Sequence, residues 1–189
     1  MVGTALDTLS IAVAGIALLG VLVGMLVELR VSQANEREYR RLGAVDAPDP
    51  VYTVMRWAYP GAFVVMAIEG GLTGAPLGWQ TSAGVALFVS AKALKVWAIR
   101  SLGPRWTYRV LVRPGAPLVT AGPYAFLRHP NYVAVVGELI GMALMVHATV
   151  TGVLTTMFFL ELLRRRIAAE ERALGLASRP GIPASIARR

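Results

Sequence analysis

Long apolar runs alternate with short polar segments along this chain of 189 residues. The runs cover residues 8–29, 54–72, 79–102 and 132–163. A helix needs about 20 apolar residues to cross the hydrocarbon core of a bilayer, so each of the first three runs predicts one span. The last run is too long for one span and predicts a helical hairpin that turns near residues 147–151. The pattern therefore predicts an all-α, polytopic transmembrane bundle of about five spans.

The polar segment 30–50 follows the first run. We expect its first part to continue the helix onto the membrane surface, where Arg37, Arg40 and Arg41 cluster. Two prolines are expected to end that helix before the second span. Within the first run, Gly20 and Gly24 form a GxxxG pattern, which would allow a second helix to approach closely. Glycines are also common in membrane helices without such a role, so both interpretations stay open.

Residues 103–130 are polar and rich in proline, and such a segment cannot cross lipid as an exposed span. A long ordered loop in a small protein usually has a function. The tail 178–189 contains two prolines and a glycine and is expected to be flexible.

The chain carries 19 Lys and Arg against 11 Asp and Glu, a net charge of +8. Excess positive charge is typical of nucleic-acid binders, but here the basic residues flank apolar runs, which is the pattern of loops that face the cytoplasm. Most of the basic residues lie in the first loop, the third loop and the C-terminal segment. This predicts an N-terminus outside, a C-terminus in the cytoplasm and no nucleic-acid partner. Lys92, Lys95 and Arg100 close the third run, and we interpret them as snorkelling to that surface, with substrate or cofactor contact as the alternative.

The residue inventory excludes several chemistries. There is no cysteine, which excludes disulfides, thiolate metal sites and cysteine nucleophiles. Only two histidines, His129 and His147, are present, so no metal site is predicted. Glu138 is a carboxylate inside the fourth span, where burial is costly. It is predicted to accept a proton or bond a substrate hydroxyl, or alternatively to link two helices, whereas Glu69 at a span end is expected to be interfacial.

Two segments near the predicted cytoplasmic face combine polar and aromatic side chains. One is residues 118–132, LVTAGPYAFLRHPNY, and the other is residues 162–174, LLRRRIAAEERAL. In a helix, Arg166 and Glu170 share a face and could hold a charged cofactor and an anionic oxygen. Taken alone, the arginines also fit a positive-inside anchor, and the pair also fits a surface salt bridge.

Together, GPYAFLRHPNY and the downstream RRRIAAEERAL resemble the isoprenylcysteine carboxyl methyltransferase family, which includes phospholipid methyltransferases. The resemblance covers roughly residues 94–174. The segment IRSLGPRWTYRVLVRPGAPLVTAGPY further resembles a bacterial branch that is similar to alkylpyrone and alkylresorcinol O-methyltransferases and is linked to type III polyketide synthases. The resemblance to the family divides the chain into three regions: the N-terminal spans and connector at 1–93, a methyltransferase core at 94–177 and the tail at 178–189.

The resemblance also implies S-adenosylmethionine as methyl donor, S-adenosylhomocysteine as product, and a lipophilic acceptor methylated at the cytoplasmic side of the bacterial inner membrane. Arg166 would face the acceptor and favour its anionic form, without a dedicated strong base; Glu138 is the second residue predicted to be catalytic. The residues implied to bind the cofactor are Leu118, Val119, Tyr124, His129, Pro130, Asn131, Tyr132, Glu170 and, on a looser match, Arg109.

Two other interpretations remain open at this point. The acceptor could be a prenylcysteine carboxylate or a phospholipid amine. Alternatively, the chain could be a non-enzymatic membrane scaffold or a transporter subunit, which would bind no cofactor.

Overall fold

Five long helices carry most of the chain in the computed structural model, which describes residues 2–74 and 77–176, with side chains from residue 8 onward. These helices are α1 (Val2–Arg41), α2 (Tyr52–Thr73), α3 (Trp79–Leu102), α4 (Pro130–Met145) and α5 (Thr149–Ala173). The helical prediction is confirmed. The structure adds one feature that was not predicted, an antiparallel pair of two-residue strands, β1 (Val45–Asp46) and β2 (Leu111–Val112). The predicted flexible tail lies outside the described residues.

Within the described part of the chain, two helical segments are long and apolar enough to cross a membrane. They are Thr8–Arg41 and Trp79–Arg105, and α4 is a shorter apolar helix. The predicted bounds of the third span, 79–102, coincide with α3, and the predicted hairpin turn corresponds to the break between α4 and α5. The five-span count and the orientation of the termini stay predictions.

Helices α3 and α4 approach each other through glycines. A Cβ added at Gly84 in α3 would lie 2.3 Å from the backbone nitrogen of Met145, and one added at Gly141 in α4 would lie 2.7 Å from that of Phe88. Only glycine permits such an approach. At Gly20 in the GxxxG pattern of α1, by contrast, no described atom beyond its own helix lies within 4 Å of that position. The close helix packing therefore lies between α3 and α4.

The main apolar core lies between α1, α2, α4 and α5. Its centre consists of large side chains with at most 1% exposure: Phe63, Met66, Leu139, Met142 and Phe159. Many apolar side chains on the outer faces of the helices are exposed instead, among them Ile16 at 71% and Leu72 at 82%. Such an outer surface suits a bundle that is surrounded by lipid.

The two ends of the bundle differ in composition. At one end, the turn between α4 and α5 packs against α2 and α3: the Glu69 carboxylate accepts hydrogen bonds from the backbone N–H groups of Val150 and Thr151, and Thr81 bonds His147. Glu69, predicted to be interfacial, thus caps the start of α5. At the other end, the C-terminus of α1, both strands, the proline-rich loop and the end of α5 come together.

Helix α1 ends earlier than predicted. Gly43 has a φ of 88°, and the backbone N–H groups of Gly43 and Ala44 bond the carbonyls of Arg40 and Tyr39. This is a glycine C-cap, and it ends the helix before the chain reaches Pro48. The prediction that prolines end α1 is therefore wrong, because a glycine in the left-handed conformation had already turned the chain.

Candidate functional site

The proline-rich loop between α3 and α4 is held in place by the C-terminal end of α1. The side-chain amide of Asn35 donates to the carbonyls of Gly103 and Trp106, at 3.1 and 2.8 Å. The Ser32 hydroxyl accepts the backbone N–H of Tyr108 at 2.8 Å. These contacts position the loop over the start of α4 and the end of α5.

A cavity of about 900 Å³, open to solvent, lies under this loop. This volume includes the open mouth of the cavity. Its lining contains ten of the residues that sequence analysis singled out or that lie beside them: Arg109, Leu118, Val119, Tyr124, Arg128, His129, Asn131, Tyr132, Arg166 and Glu170. Pro130 does not line the cavity; it is fully buried as the first residue of α4. We call this space the polar cavity.

Aromatic and acidic side chains from α4 and α5 meet at its edge. The rings of His129 and Tyr132 stack with their centroids 5.6 Å apart. The Tyr132 hydroxyl donates to Glu170 at 2.7 Å, and His129 Nε2 lies 3.2 Å from Glu171 Oε1. Because Glu170 keeps 32% of its side chain exposed, its carboxylate remains accessible to a ligand cation. Glu171, which was not among the predicted site residues, holds the His129 ring.

Two tyrosines near the cavities cannot serve as bases at neutral pH. Burial, and then the nearby Glu170 carboxylate, raises the pKa of Tyr124 well above its usual value. Burial, and then Glu28, raises the pKa of Tyr108 in the same way. Both phenols therefore keep their protons and act as hydrogen-bond donors or neutral acceptors.

Arg166 lies on α5 beyond its apolar part and is only 6% exposed. Its guanidinium donates to the Asp49 carboxylate, to the backbone carbonyl of Tyr108 and, at 3.4 Å, to the Tyr132 hydroxyl. Burial lowers its pKa to about 10, opposed by Glu170, so it stays charged at neutral pH. A guanidinium has five N–H groups, and these three contacts leave two of them for a ligand.

Asp49 was missed by sequence analysis. Its side chain is only 8% exposed, and besides binding Arg166 it accepts the backbone N–H of Val51 before α2. In the sequence it stands between two prolines in a segment that was interpreted as a helix terminator. Arg166 is 117 positions away, so no local pattern pairs the two residues.

A second and larger cavity, about 1590 Å³, lies between α1 and α2. Much of its wall is apolar, including Leu22, Met25, Leu26, Leu29, Met55, Trp57, Pro60 and Val135. It shares five lining residues with the polar cavity: Trp106, Thr107, Asn131, Tyr132 and Arg166. We call it the apolar cavity. The two spaces meet where Arg166 is held.

Glu138 lines neither cavity, because it is fully buried behind them. It belongs to a group of four acidic and basic side chains from α1, α3 and α4, which we call the charge cluster: Glu28, Lys92, Lys95 and Glu138. Tyr59 donates to Glu138 at 2.7 Å. Glu138 therefore links helices, which was the predicted alternative to catalysis. A catalytic role of Glu138 stays a prediction, and it would require Tyr59 or Lys95 as an intermediary.

The interpretation of Lys92 and Lys95 as snorkelling residues is wrong. Lys95 is only 2% exposed, and its ammonium lies 2.9 Å from Glu138 and 3.2 Å from Glu28. Lys92 reaches the same two carboxylates, at 3.0 and 2.7 Å. Internal carboxylates offer these ammonium groups a closer and drier partner than the membrane surface does.

Comparison with known proteins supplies a family. Residues 84–176 match the model of the isoprenylcysteine carboxyl methyltransferase family. The chain is 33% identical over 148 residues to the uncharacterized protein YpbQ of Bacillus subtilis (strain 168). The aligned region covers 78% of this chain and 88% of that protein. It is 25% identical over 147 residues to an uncharacterized protein of Haemophilus influenzae (strain ATCC 51907 / DSM 11121 / KW20 / Rd), covering 77% of this chain and 86% of that one. No solved structure matches significantly.

Proposed function

Because this chain belongs to the isoprenylcysteine carboxyl methyltransferase family, whose members are membrane methyltransferases that use S-adenosylmethionine, we propose that it methylates an oxygen of a lipophilic acceptor. A long-chain polyketide such as an alkylpyrone or alkylresorcinol is the acceptor we favour. The observation that carries the proposal is the junction of a polar and an apolar cavity at Arg166.

The residues around the polar cavity fit the donor. S-adenosylmethionine carries an amino group, a carboxylate and an adenine ring, and when bound it supplies a methyl group that is already activated on a sulfonium. The cavity offers the accessible carboxylate of Glu170 for a cation, the guanidinium of Arg109 for an anion and the rings of Tyr124 and Tyr132 for an apolar surface. The polar cavity would therefore hold the donor.

The apolar cavity fits the tail of the acceptor. Each methylene that leaves water contributes about 0.8 kcal/mol, so a long alkyl chain favours this space and the surrounding lipid. The head of the acceptor would then point toward Arg166, where both cavities meet. Alignment of two reactants in a site that excludes water is the main contribution a protein makes to such a transfer.

Arg166 would bind the acceptor oxygen. Two N–H groups remain after its contacts with Asp49, Tyr108 and Tyr132, and a fixed cation favours the anionic form of an oxygen nearby. Arg166 would hold the acceptor oxygen as an anion once its O–H proton has passed to water in the open polar cavity, and bound S-adenosylmethionine would supply the methyl group and leave as S-adenosylhomocysteine. Since the phenols of Tyr108 and Tyr124 are protonated, we assign no side chain as a strong base.

We further propose five spans, with the N-terminus outside and the C-terminus inside the bacterial cytoplasmic membrane. The described arginines near the ends of α1, α3 and α5 lie at the same end of the bundle as the polar cavity. Loops rich in Arg and Lys stay in the cytoplasm. This orientation would open the polar cavity to the compartment that contains the soluble donor.

The test compares Arg166→Ala and Arg166→Lys with Arg165→Ala in detergent-purified protein. Arg165 is the neighbouring arginine, its side chain is 62% exposed, and it pairs only with Glu161 among the described residues. Turnover of an alkylresorcinol with labelled donor should fall roughly 100-fold or more in both Arg166 variants, because a charge aimed at the reacting oxygen is lost or misplaced. Arg165→Ala should stay near the wild type.

Binding of S-adenosylhomocysteine, measured by calorimetry, separates the possible failures. We expect the Arg166 variants to bind it within a few-fold of the wild type. Unchanged turnover in both variants would remove Arg166 from the mechanism. If the wild-type protein bound no S-adenosylhomocysteine, the scaffold or transporter interpretation would replace the enzyme. Parallel assays with a prenylcysteine and a phospholipid amine identify the other acceptor classes.

A further inference from the structure

The wall of the apolar cavity contains a polar patch. Glu28, Tyr59, Lys95 and Tyr108 line it together with the aliphatic side chains of α1 and α2. An alkyl chain gains nothing from such groups, and charged groups beside an apolar space are costly unless they are paired. The patch therefore requires an explanation beyond holding a tail.

The patch carries no net charge. Each lysine of the charge cluster contacts both carboxylates, at distances between 2.7 and 3.2 Å. Two ammonium groups thus balance two carboxylates, and all four groups come from within the bundle. Within this patch, a phosphate or carboxylate of a ligand would find only a lysine that is already paired with carboxylates, so the patch itself does not favour an anionic ligand group. Arg56 and Arg166 line the same cavity outside the patch.

Counting hydrogen bonds shows which polar group the patch accepts. The Lys95 ammonium donates to Glu28 Oε2 and to Glu138 Oε2. It lies 2.9 Å from Glu138 Oε1 without a hydrogen bond to it, so one Lys95 N–H group is not used in a hydrogen bond among the described residues. The Tyr59 hydroxyl must donate to Glu138, since a carboxylate only accepts. Glu28 accepts from Lys92, Lys95 and Tyr108, which uses three of its roughly four lone-pair directions. Toward the cavity the patch therefore offers three acceptors, Glu28 and the two phenol oxygens, beside one N–H of Lys95, and a hydroxyl can bond to both kinds of group.

We propose that this patch is a second recognition point for the methyl acceptor, and that it binds a neutral hydrogen-bond donor, a hydroxyl, other than the oxygen that is methylated. The inference rests on the proposed function for the identity of the ligand. The inference narrows the substrate class to ring head groups with two oxygens. One oxygen would lie near Arg166, and the other would keep its proton and donate a hydrogen bond to Glu28.

Tyr108 connects the two recognition points. Its backbone carbonyl accepts a hydrogen bond from Arg166, and its phenol donates to Glu28 at 3.4 Å. Its backbone N–H is fixed by Ser32 in α1. One residue therefore contacts both Arg166 and Glu28, the two groups that the proposal assigns to the two oxygens of the acceptor.

Two acceptors that differ by one hydroxyl test the inference: pentadecylresorcinol and meta-pentadecylphenol. Their tails are identical, so any difference reports the second hydroxyl. Dissociation constants are measured on the full-length protein in detergent by quenching of tryptophan fluorescence, since Trp57 and Trp106 line the cavity. Methylation of both compounds is followed in parallel. A hydrogen bond to a charged group predicts that the wild type favours the resorcinol roughly tenfold or more.

The variants locate the preference. Glu28→Gln should reduce it to about threefold or less, because a neutral amide is a weaker acceptor than a carboxylate. The double variant with Glu28→Gln and Lys92→Gln keeps the cluster neutral, and it should behave in the same way if the single variant folds poorly. Glu38→Gln is the matched control, because its side chain is 49% exposed at the end of the same helix. It should keep the wild-type preference.

Each outcome separates this inference from the proposed function. Equal binding of both compounds by the wild type, or a preference that survives in the Glu28 variants, would overturn the inference even if methylation proceeds. A preference in binding that Glu28→Gln removes, with no methylation of either compound, would support the recognition point while the proposed reaction fails.

Discussion

Replacing one glycine at the α3–α4 contact tests the central packing of the bundle. In Gly84→Ala, the new Cβ would lie 2.3 Å from the backbone nitrogen and 2.7 Å from the Cα of Met145, and 2.8 Å from the carbonyl oxygen of Gly141. Favourable contacts between carbon atoms lie at about 3.5–4.0 Å. Because the opposing atoms belong to a backbone, no side chain can rotate away, and the two helices must separate by about 1 Å.

The expected magnitude follows from two opposing effects. Overpacking of a tight interface costs about 1–3 kcal/mol, and a contact this short against backbone belongs at the upper end. Alanine regains about 1 kcal/mol over glycine inside a helix. The net loss for Gly84→Ala is therefore about 2 kcal/mol, which corresponds to a decrease in Tm of roughly 4–8 °C for a chain of this size.

Gly20→Ala in the GxxxG pattern of α1 is the matched control. No described atom outside its helix lies within 4 Å of the new methyl group, so only the helix-propensity gain applies, and Tm should stay equal or increase. Thermal unfolding of detergent-purified protein, followed by intrinsic fluorescence of the four tryptophans, measures both variants.

The opposite ranking would refute the packing argument. If Gly20→Ala lowered Tm by several degrees while Gly84→Ala had no effect, then α1 would be the helix that depends on close approach, for example to a second copy of the chain. The α3–α4 contact would then not limit stability.

Two further substitutions test the two ends of the bundle. Glu69→Ala removes the cap of α5 and should lower the free energy of unfolding by about 0.5–2 kcal/mol. The value of kcat should not change, because Glu69 lies at the end of the bundle opposite the polar cavity. An unchanged Tm would contradict the role of Glu69 as a cap. Asn35→Ala removes two of the hydrogen bonds by which α1 holds the proline-rich loop, at roughly 1 kcal/mol each, and should weaken S-adenosylhomocysteine binding several-fold in calorimetry. The exposed Gln33→Ala is the control and should bind as the wild type does; equal affinities in both variants would show that the other contacts are enough to hold the loop.

The helices could be predicted from the sequence because hydrophobic length and helix-breaking residues are local signals. Residues 79–102 were predicted as the third span and form α3, and residues 54–72 lie within α2. The end of α1 was misplaced because two signals competed. The prediction rested on the prolines at 48 and 50, whereas Gly43, which comes first along the chain and belongs to a common type of helix terminator, turns the chain.

Many of the residues that line the polar cavity were also predictable, because they come from two continuous segments that the family resemblance identifies. His129, Tyr132 and Glu170 meet as the sequence motifs implied. Asp49 was not predictable on that basis. Asp49 comes from a third, distant segment. A buried guanidinium can pair with any nearby carboxylate, so the need of Arg166 for a partner does not identify which carboxylate it is.

The charge cluster marks the same limit for the membrane part of the chain. An ionised side chain within a span requires a partner, so Lys95 and Glu138 each indicated that some pairing exists. Two lysines and two glutamates allow several pairings, each of which would rotate α1, α3 and α4 differently about their axes. In the structure every lysine contacts both carboxylates, so no single pair sets the rotation and the four groups act as one unit. Such a unit keeps the oxygens of Glu28 at the cavity wall in a fixed position, and a fixed position is what a hydrogen bond to an acceptor hydroxyl requires in order to discriminate.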